Sequence, residues 1–550
     1  MPAPAFPARV LPTYRLPRPT PLLAAGLLAL LASCRPPAAT SQKTTEAKQA
    51  AAPPATASAP ITNPVLPGDF PDPSVDKLGD TYWASATTSN WGPIFPLLKS
   101  KNLSEWELVG HVFPDKLPAW ADYYFWAPEI SFEKGRTYVY YTAHRRGGNL
   151  CVAVASADRP EGPYTDHGPL VGQEVGSIDG FPMRDENGVL YLIWKEDGNS
   201  RNRPTPIWAQ QLSEDRKSLV GQPRELFRNE QPWEGNLVEG VSMVRRGEYF
   251  YAFYAGNGCC GNACTYGTGV ARARQLLGPW EKYAQNPVMR SNDTWKCPGH
   301  GSVTERNGRW FLLHHAYHNR GWEYVGRQGV LSEFRWNAAG WPEFINQSTP
   351  GTPGVTTTQS RQTVRDDFKG RALGRAWQWP VETKPSFALK DGQLRLTARP
   401  DAGGAVLGHP IYTADFTATT TLLAPGQLPA GAMAGLAALG DPENTLALTA
   451  GGGRLQLWQL EKGKRRVLGE TALPAAPALT LRLQVQAGKQ YRFSYSTDGG
   501  KAWLPLPTGD APINGTYLPP WDRGVRAGVL ALGPASATAA FDDFVLDSKP

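Results

Sequence analysis

The sequence predicts an all-β protein, a five-bladed β-propeller followed by an antiparallel β-sandwich. Three observations indicate this fold. A turn glycine followed by a strand of β-branched and aromatic residues recurs five times, the repeat region contains no helix pattern of useful length, and the C-terminal third alternates apolar and polar residues between turn signals. A chain of 550 residues is long enough for two or more domains.

The repeat has the spacing of propeller blades. The turn glycines lie 56, 53, 59 and 61 residues apart, at Gly79, Gly135, Gly188, Gly247 and Gly308. After most of them the chain turns and forms another short strand with a Trp or Tyr. Copies of a unit of about 50–60 residues, built from strands and turns, are typical of a propeller with one four-stranded sheet per blade. We predict the propeller over residues 61–348.

The N-terminal segment has the pattern of an export signal. Arg9, Arg15 and Arg18 precede a run of twelve apolar or small residues, 22–33, which is typical of a signal peptide and too short to span a bilayer. The segment Leu31-Ala-Ser-Cys34 resembles a bacterial lipoprotein signal, in which cleavage leaves Cys34 as the lipidated N-terminus. The alternative is a plain secretory signal with a chance cysteine.

A flexible linker is expected after this signal. Residues 1–33 form the predicted signal peptide, and residues 34–60 are rich in Ala, Pro, Thr, Ser and Lys without periodicity. We therefore expect an exported protein in the bacterial cell envelope, at the outer membrane or in the periplasm. Its only expected contact with a membrane is the lipid on Cys34.

Composition disfavours nucleic acid as a partner. The net charge is +7, but the 56 basic residues are scattered in short groups such as Arg145-Arg146, so no basic stripe is present. Aromatic residues make up 11% of the chain, and the 19 Trp suit both sheet surfaces and sugar platforms. We expect no nucleic-acid binding.

Three carboxylates occupy similar places at the starts of predicted blades. Asp72 lies between Pro71 and Pro73, whose rings fix the backbone so that the side chain can be aimed. Asp179 and Glu239 each lie in a short apolar strand before a glycine, where a carboxylate costs free energy unless it is paired or functional. Each acid alone could simply end a strand at a turn. Because a propeller brings its innermost strands together around one axis, we expect the three to meet.

Residues 61 to about 348 resemble glycoside hydrolase family 43, whose members are five-bladed propellers that cleave arabinose- or xylose-containing glycans with inversion. The resemblance is carried by several motifs in the same order. They are Asn63-Pro with Phe70-Pro-Asp-Pro-Ser74, Trp126-Ala-Pro-Glu129, Ile178-Asp179, Val238-Glu239-Gly240, Pro298-Gly-His-Gly-Ser302 and Gly326-Arg327. The resemblance implies that Asp72 is the general base, Glu239 the general acid, and Asp179 the residue that orients the acid and tunes its pKa.

Inverting hydrolysis agrees with carboxylates on separate blades. One carboxylic acid protonates the leaving oxygen, while a carboxylate about 6.5–9.5 Å away activates water on the other face of the sugar. A third carboxylate beside the acid raises the pKa of the acid by like-charge repulsion and keeps it protonated. Asp69 is the rival to Asp72, which is preferred for its Pro-Asp-Pro setting and family position. Gly180 and Val241 stand where many relatives have Pro, which bears on substrate subtype more than on catalysis.

The resemblance also implies residues around the acids. Arg327 matches an arginine that contacts the sugar and the tuning Asp, and His300 matches a histidine that in some relatives holds a central cation, often calcium with waters. Because hard cations prefer oxygen ligands, a structural calcium is optional, and no cofactor is required. Trp126 and Phe125 are candidates for stacking on a sugar, with blade core as the alternative.

Adjacent histidines and cysteines give two further expectations. His314 and His315 are neighbours on a predicted strand and face opposite sides, so both cannot point at one site. The cysteines after Cys34 are odd in number, which leaves a free thiol or an unusual pairing, and their spacing fits no structural zinc site. They are Cys151, Cys259, Cys260, Cys264 and Cys297. Some arabinan-cleaving relatives have a similar pair at 259–260, and we expect a loop near the pocket there.

The C-terminal third is predicted to be an accessory domain. Residues 349–363 form the predicted linker and residues 364–550 the predicted sandwich, with alternating stretches such as Gln393-Leu-Arg-Leu-Thr397. The segment Ala376-Trp-Gln-Trp379 resembles the concanavalin-like sandwich appended to β-xylosidases and arabinofuranosidases of the family. In such relatives a sandwich loop can close the pocket. The domain is expected to be a packing partner, a pocket wall or a glycan-binding module.

The expected function is removal of α-L-arabinofuranosyl or β-D-xylosyl units from plant cell-wall polysaccharides or their oligosaccharides. An endo-arabinanase or a galactan-active enzyme is the alternative within the same class. A non-catalytic, glycan-binding propeller is the alternative from another class. The sequence leaves the sugar, the linkage and the oligomeric state open.

Overall fold

The computed structural model describes residues 61–345, 362–506 and 511–549. Within these ranges the chain forms five four-stranded sheets and then a nine-stranded and a six-stranded sheet, which confirms the predicted fold class. The predicted signal peptide, the tether with Cys34 and most of the predicted linker 349–363 lie outside the described residues. No helix in the described ranges has the length and apolar character needed to cross a membrane.

Each propeller blade is an antiparallel meander of four strands. Blade 1 comprises Ser74–Leu78, Thr81–Ser85, Ile94–Ser100 and Glu107–Phe113, and blade 2 comprises Trp126–Glu133, Arg136–His144, Leu150–Ala157 and Thr165–Val171. Blade 3 comprises Ser177–Arg184, Leu190–Glu196, Ile207–Leu212 and Leu219–Phe227, and blade 4 comprises Val238–Arg246, Tyr249–Gly256, Gly267–Ala273 and Glu281–Lys282. Blade 5 comprises Trp295–Arg306, Arg309–His318, Gln328–Trp336 and Pro342–Phe344.

The repeated glycine forms the same turn in every blade. All five lie between the first and second strands and have φ between 58° and 84°: Gly79, Gly135, Gly188, Gly247 and Gly308. A side chain in this left-handed region is strained, so glycine is the natural residue for the turn. The repeated strand that the sequence shows is therefore the second strand of each blade, and the first strand precedes the glycine.

Large apolar side chains fill the space between neighbouring blades. Phe95 and Leu97 of blade 1 share one buried cluster with Val139 and Tyr141 of blade 2, and the Phe95 and Tyr141 rings lie 5.4 Å apart. Burial of such rings contributes about 1.5–3 kcal/mol for each side chain. This packing fixes the blades against one another and so fixes the separation of residues on different blades.

The C-terminal region is a sandwich of two antiparallel sheets. The nine-stranded sheet comprises Gln362–Asp366, Phe387–Lys390, Gln393–Thr397, Asp415–Leu423, Ala478–Gln486, Gln490–Ser496, Leu504–Pro505, Ile513–Asn514 and Thr538–Lys549. The six-stranded sheet comprises Ala405–Pro410, Met433–Asp441, Asn444–Gly451, Arg454–Glu461, Lys464–Ala472 and Arg526–Leu532. Every second residue of these strands, such as Phe416, Ala418 and Leu483, enters one shared core.

The sandwich packs directly against the propeller. A short strand of the propeller, Trp91–Gly92, pairs with Trp379–Pro380. The Trp91 ring is buried among apolar residues of the six-stranded sheet, including Trp458 and Leu530. The structure therefore confirms the expectation that the sandwich is a packing partner of the propeller.

The remaining elements are short. In the part of the chain that the structure describes, they are one α-helix, Trp322–Val325, and the 3-10 helices Gly198–Arg201, Pro232–Glu234, Gly261–Ala263 and Pro425–Gln427. Two disulfides join Cys259 to Cys260 and Cys264 to Cys297, the second of which links a loop of blade 4 to blade 5. Cys151 is the free thiol among the described residues, and it is buried.

Candidate active site

One cavity of about 250 Å³ brings together residues from all five blades and the sandwich. The three predicted acids all line it, although they belong to blades 1, 3 and 4. Other predicted residues line it as well: Trp126, His300, Arg327, Cys259 and Cys260. The remaining wall includes residues that the sequence did not indicate, among them Lys195, Asp197, Tyr266, Trp521 and Asp522.

A left-handed residue lies within the first strand of every blade, or in blade 1 just before it. These residues have φ between 39° and 62°, and they are Asp72, Ala127, Asp179, Gly240 and His300. In blades 2 to 5 the pairing with the second strand shifts register at this point. Such bulges re-aim side chains. Two acids, Asp72 and Asp179, occupy the left-handed position itself, whereas Glu239 and Trp126 come one residue before it.

The preceding blade holds the backbone N–H of four of these five residues. Asp72 donates to His315 Nδ1 at 3.1 Å, Ala127 to the Thr87 hydroxyl at 2.7 Å, and Asp179 to the Thr142 hydroxyl at 3.0 Å. Gly240 donates to a carboxylate oxygen of Asp179 at 2.9 Å. Blades 5, 1, 2 and 3 therefore each position this segment of the blade that follows them around the propeller.

Gly240 could not be another residue in this arrangement. Its φ is +62°, and a β-carbon added there would lie 2.6 Å from Cγ of His300. Glycine after Glu239 thus lets blades 4 and 5 approach closely beside the acid. The Glu-Gly pair in the sequence reflects this close contact.

Asp72 is held as a carboxylate by fixed donors. Arg327 Nη1 donates to Oδ1 at 2.8 Å, and the Thr87 hydroxyl donates to Oδ2 at 2.7 Å. Burial alone would raise its pKa, but the charges of Arg327 and His300 hold the pKa of Asp72 well below its usual range. His300 Nδ1 lies 3.5 Å from Asp72 Oδ1 and 4.0 Å from Asp179 Oδ2, between the two acids.

The adjacent histidines point in opposite directions, as predicted. His314 Nε2 contacts the Ser332 hydroxyl at 3.0 Å, while His315 Nδ1 accepts the backbone N–H of Asp72. Burial lowers the pKa of His315 to about 4, which leaves the ring neutral and able to accept. His315 therefore supports the backbone of Asp72 rather than entering the cavity.

Asp69, the rival to Asp72, belongs to the domain interface. Its Oδ2 accepts from Arg526 Nη1 at 2.7 Å and from the Gly524 N–H at 3.1 Å, and it does not line the cavity. Both side chains of the Asp69–Arg526 pair are 2% exposed. Asp69 thus joins the propeller to the sandwich, three residues away from the acid that faces the cavity.

Glu239 is surrounded differently from Asp72. Lys195 Nζ donates to Oε2 at 2.6 Å, and the Tyr266 hydroxyl donates to Oε1 at 2.6 Å. Burial would raise its pKa, but the Lys195 charge and the bonds from Lys195 and Tyr266 bring the pKa of Glu239 below its usual value. Burial, together with the neighbouring Glu239 charge, raises the pKa of Asp179 to about 6.

The carboxyl with the raised pKa is Asp179, because at Glu239 the charge of Lys195 and the bonds from Lys195 and Tyr266 offset burial. The expectation that Asp179 tunes the pKa of Glu239 stays a prediction. The sequence signal for Lys195 was a lysine at the end of the apolar strand Leu190–Glu196. No comparable signal marked Tyr266, which precedes the third strand of blade 4.

The two predicted aromatic residues have different places. Trp126 lines the cavity and donates its indole N–H to the Ser89 hydroxyl at 3.0 Å. Phe125 does not reach the cavity, because its side chain is fully buried and packs against Phe95 at 6.1 Å. The interpretation of Phe125 as a sugar platform is therefore wrong, and the blade-core alternative is correct.

A loop of the sandwich forms one wall of the cavity. The Asp522 carboxylate accepts the Ser89 hydroxyl at 2.7 Å, and its backbone carbonyl accepts Arg327 Nη2 at 3.1 Å. Trp521 is 54% exposed and meets the Trp126 ring edge-on at 6.0 Å. The sandwich thus contributes to the site, which the sequence allowed only as one of three possibilities.

The residues around His300 do not form a ready cation site. No group of three or more His, Cys, Asp or Glu side chains in the described ranges is arranged to hold a metal ion. Asp72 and Asp179, the carboxylates nearest His300, already accept bonds from Arg327 and from the Gly240 N–H. The donor set therefore fits calcium poorly.

Family models match both domains. Residues 61–342, just over half of the chain, match glycosyl hydrolases family 43. Residues 365–547 match the beta xylosidase C-terminal concanavalin A-like domain. The two matched regions correspond to the propeller and the sandwich.

Named relatives align over the same regions. A xylan 1,3-beta-xylosidase of a Vibrio species is 27% identical over 322 residues, which cover 53% of this chain and 58% of that protein. A non-reducing end alpha-L-arabinofuranosidase of Bacteroides ovatus is 26% identical over 366 residues, which cover 61% and 64%. The chain thus spans less than two thirds of the length of each of these relatives.

Solved structures share the whole fold. A xylan beta-1,4-xylosidase from Bacillus halodurans superposes with a TM-score of 0.76 at 22% identity, over 89% of this chain and 100% of that one. The BlXynB protein from Bacillus licheniformis superposes with a TM-score of 0.75 at 23% identity, with the same coverage. Together with the family model that covers most of the propeller, they place the chain by fold and by sequence. The chain belongs to glycosyl hydrolases family 43.

Proposed function

We propose that the protein is an inverting exo-glycosidase that removes α-L-arabinofuranosyl or β-D-xylosyl units from plant polysaccharides or their oligosaccharides. The observation that carries this proposal is the convergence of Asp72, Asp179 and Glu239 from three blades on one cavity. The names of the relatives, xylosidase and arabinofuranosidase, support the choice of sugars. Membership of the family supports hydrolysis as the reaction.

In this proposal Asp72 is the general base. Arg327 and Thr87 fix its carboxylate, which stays ionised because its pKa lies well below the usual range. It takes a proton from a water molecule, whose oxygen forms the new bond to the anomeric carbon. The resulting product has the inverted configuration.

Glu239 is the general acid on the opposite side. It donates a proton to the glycosidic oxygen as the bond between that oxygen and the anomeric carbon breaks. Asp179 acts on Glu239 through the Gly240 N–H, which it accepts at 2.9 Å, and through its charge. Asp179 is therefore a positioning residue that also tunes the pKa of the acid.

The wall formed by the sandwich supports exo action. The cavity, at about 250 Å³, is slightly smaller than the range for small-ligand sites, which begins at about 300 Å³. Trp521 and Asp522 come from the sandwich and limit one side of it. A pocket of this size suits a terminal sugar, whereas an endo-arabinanase needs a groove open at both ends.

The test is an activity screen with product analysis. The wild-type protein is incubated with nitrophenyl arabinofuranoside, xyloside and galactoside and with linear arabinan, and the first product anomer is read by NMR. We expect turnover of an arabinofuranoside or xyloside with inversion. Retention would overturn the mechanism, internal cleavage of arabinan would favour the endo alternative, and turnover of the galactoside alone would favour a galactan-active enzyme.

A variant separates an enzyme from a glycan-binding propeller. Glu239→Ala is expected to abolish turnover of arabino- or xylo-oligosaccharides, whose leaving groups need a proton, while sugar binding by calorimetry persists. Glu161→Ala, which removes an exposed glutamate of blade 2, is the matched control and should leave turnover unchanged. If the wild-type protein binds arabino- or xylo-oligosaccharides without hydrolysing any of them, the non-catalytic alternative is correct.

Calcium enters this proposal only as an optional structural ion near His300. No step depends on it, since the base, the acid and the tuning residue are all side chains of this chain. We expect dialysis against EDTA to leave kcat and KM unchanged. A loss of activity that added calcium restores would show that the ion is required.

We also propose that the chain is exported and anchored to the bacterial envelope through a lipid on Cys34. The support is the sequence Leu31-Ala-Ser-Cys34 after an apolar run of signal-peptide length. Mass spectrometry of the protein from membranes should find an acylated N-terminal Cys34. Cys34→Ser should release the protein from membranes, and an unmodified N-terminus beyond Cys34 would indicate a plain secretory signal.

A further inference from the structure

Lys195 is a buried cation beside the proposed acid. Its side chain is 1% exposed, and its Nζ contacts two carboxylates, Glu239 Oε2 at 2.6 Å and Asp197 Oδ1 at 2.8 Å. Those carboxylates are only 13% and 15% exposed, so water screens the cluster weakly. A buried lysine in such a place is costly unless it is fully paired.

The contacts of Glu239 are those of a charged carboxylate. Its two oxygens accept from different donors, Lys195 and Tyr266. A general acid must instead carry a proton on one of these oxygens and direct it at the leaving group. Glu239 therefore has to become neutral, and loosen one of these two bonds, before it can act.

Asp197 makes that change feasible. When Glu239 takes up a proton, Lys195 loses the charge of one partner but keeps the other, which lies at 2.8 Å. The ammonium then remains paired inside the protein. Without Asp197, protonation of Glu239 would leave the buried Lys195 ammonium with no charged carboxylate in contact with it, which is unfavourable.

Asp179 is the neighbouring group that can hold the proton that Glu239 needs. Asp179 contacts the backbone of residue 240 and interacts electrostatically with Glu239. The other titratable groups that act on Glu239 are Lys195, Tyr266 and His300, from blades 3, 4 and 5. Tyr266 stays protonated, because burial raises its pKa well above the usual value.

We propose that Lys195, held by Asp197, is a positioning residue that decides whether the catalytic proton rests on Asp179 or on Glu239. The inference rests on the proposed function, since it assigns Glu239 the role of acid. Lys195 itself is not the proton donor. Its two carboxylate neighbours and Asp179 raise its pKa above the usual value despite burial, so it stays charged.

Two neighbouring substitutions should act in opposite directions. Lys195→Met removes a positive charge next to Glu239, which favours the protonated acid and raises its pKa. Asp197→Asn removes a negative charge and leaves Lys195 to stabilise the Glu239 carboxylate more strongly, which lowers that pKa. Charge changes at this range shift a pKa by about one unit or more.

The test is the pH profile of kcat/KM, whose alkaline limb reports the acid of the free enzyme. We expect the limb to move up by about one pH unit in Lys195→Met and down by about one unit in Asp197→Asn. The double variant should lie between them. A limb that stays in place in both variants, or moves in the same direction in both, would overturn the inference.

A leaving-group comparison separates this role from a structural one. A dinitrophenyl glycoside needs little proton donation, so the rate change of Lys195→Met on it should be smaller than on a methyl glycoside or a natural oligosaccharide. Equal losses on all substrates would indicate damage to the fold. If Lys195→Met does not fold, two variants still test the direction in which the alkaline limb moves. They are Asp197→Asn and the double variant, in which the two opposite charges are removed together.

Failure of the inference differs from failure of the proposed function. If wild-type protein hydrolyses none of the glycosides, the proposed function is wrong. Suppose that the wild type is active and Glu239→Ala is not. If the alkaline limb of kcat/KM then stays in place in the Lys195 and Asp197 variants, only the inference is wrong.

Discussion

The two sides of the cavity hold their carboxylates in different ways. On the base side, Asp72 is bound by Arg327 and Thr87, and its pKa is held far below the usual range. On the acid side, Glu239 shares Lys195 with Asp197, and Asp179 has a pKa of about 6. The charges around Asp72 favour its ionised form, whereas burial beside Glu239 favours the protonated form of Asp179.

If the proposed roles hold, this difference follows from what each carboxylate must do. A base that activates water has to stay ionised, and a guanidinium, which does not lose its proton in proteins, ensures this. An acid has to gain and lose a proton in each turnover, so its neighbours must tolerate both states. The paired carboxylates around Lys195 allow this, because the lysine keeps a partner in either state.

The largest expected effect comes from removing the base. Asp72→Asn should lower kcat by about 10³–10⁴-fold with every leaving group, because water activation is needed whatever group departs. Glu239→Gln should instead lose activity mainly on substrates with poor leaving groups. The measurement is kcat on a series of aryl glycosides, with Asp293→Asn, an exposed surface change, as control. If the loss of kcat in Asp72→Asn depended on the leaving group, Asp72 would be the general acid and Glu239 the general base.

Removing the counter-charge of the base should destabilise the protein. Arg327→Met leaves the buried Asp72 carboxylate unpaired, which is expected to cost about 3–5 kcal/mol in the free energy of unfolding. Asp72 has a lowered folded pKa, so the stabilisation is present above the unfolded pKa of about 3.9 and is lost as pH falls below it. The difference from wild type in urea unfolding should therefore be constant from pH 5 to 8 and shrink below pH 4.

The control for this variant is an exposed ion pair. Arg335→Met removes a partner of Glu343 that is 71% exposed, and it should change stability by less than about 1 kcal/mol. A loss in Arg327→Met no larger than in Arg335→Met would show that the base side is not held by this charge.

On the acid side, the expected effect of a substitution is a change in the pH dependence of kcat/KM. Asp179→Asn removes the carboxyl whose pKa is about 6, and with it the like charge that favours protonation of Glu239. The alkaline limb of kcat/KM should therefore move to lower pH by about one unit, with a rate loss of about 10–100-fold at pH 6. An unchanged limb would mean that Asp179 does not share the catalytic proton.

The smallest expected effect lies in the wall that the sandwich provides. Trp521→Ala should raise KM about tenfold and change kcat by less than about threefold, because this half-exposed ring lines the cavity and has no proton to donate to the leaving group. Trp503→Ala is the matched control, since Trp503 is a sandwich tryptophan that packs over Arg482. If both variants behave alike, the sandwich loop does not contact substrate.

Much of the fold was predictable because it depends on local signals. The five turn glycines marked the blades, and each has the left-handed backbone that a side chain would strain. Asp179 and Glu239 were visible because they stood in apolar strands, and Asp72 because it stood between two prolines. Phe125 was misassigned because nothing local distinguishes an aromatic residue that packs between blades from Trp126, its neighbour, which faces the cavity.

By itself, the sequence determined the repeat, the two domains and the residues able to do acid–base chemistry, because strand periodicity, turn glycines and buried charges are local properties. Only the tertiary structure decided which charged groups lie close enough to change one another's pKa. It separated Asp72 from Asp69, placed Lys195 against Glu239 across 44 positions, and brought Trp521 to the cavity. The physical reason is that pairing and desolvation depend on distances of a few ångströms between strands far apart in the chain.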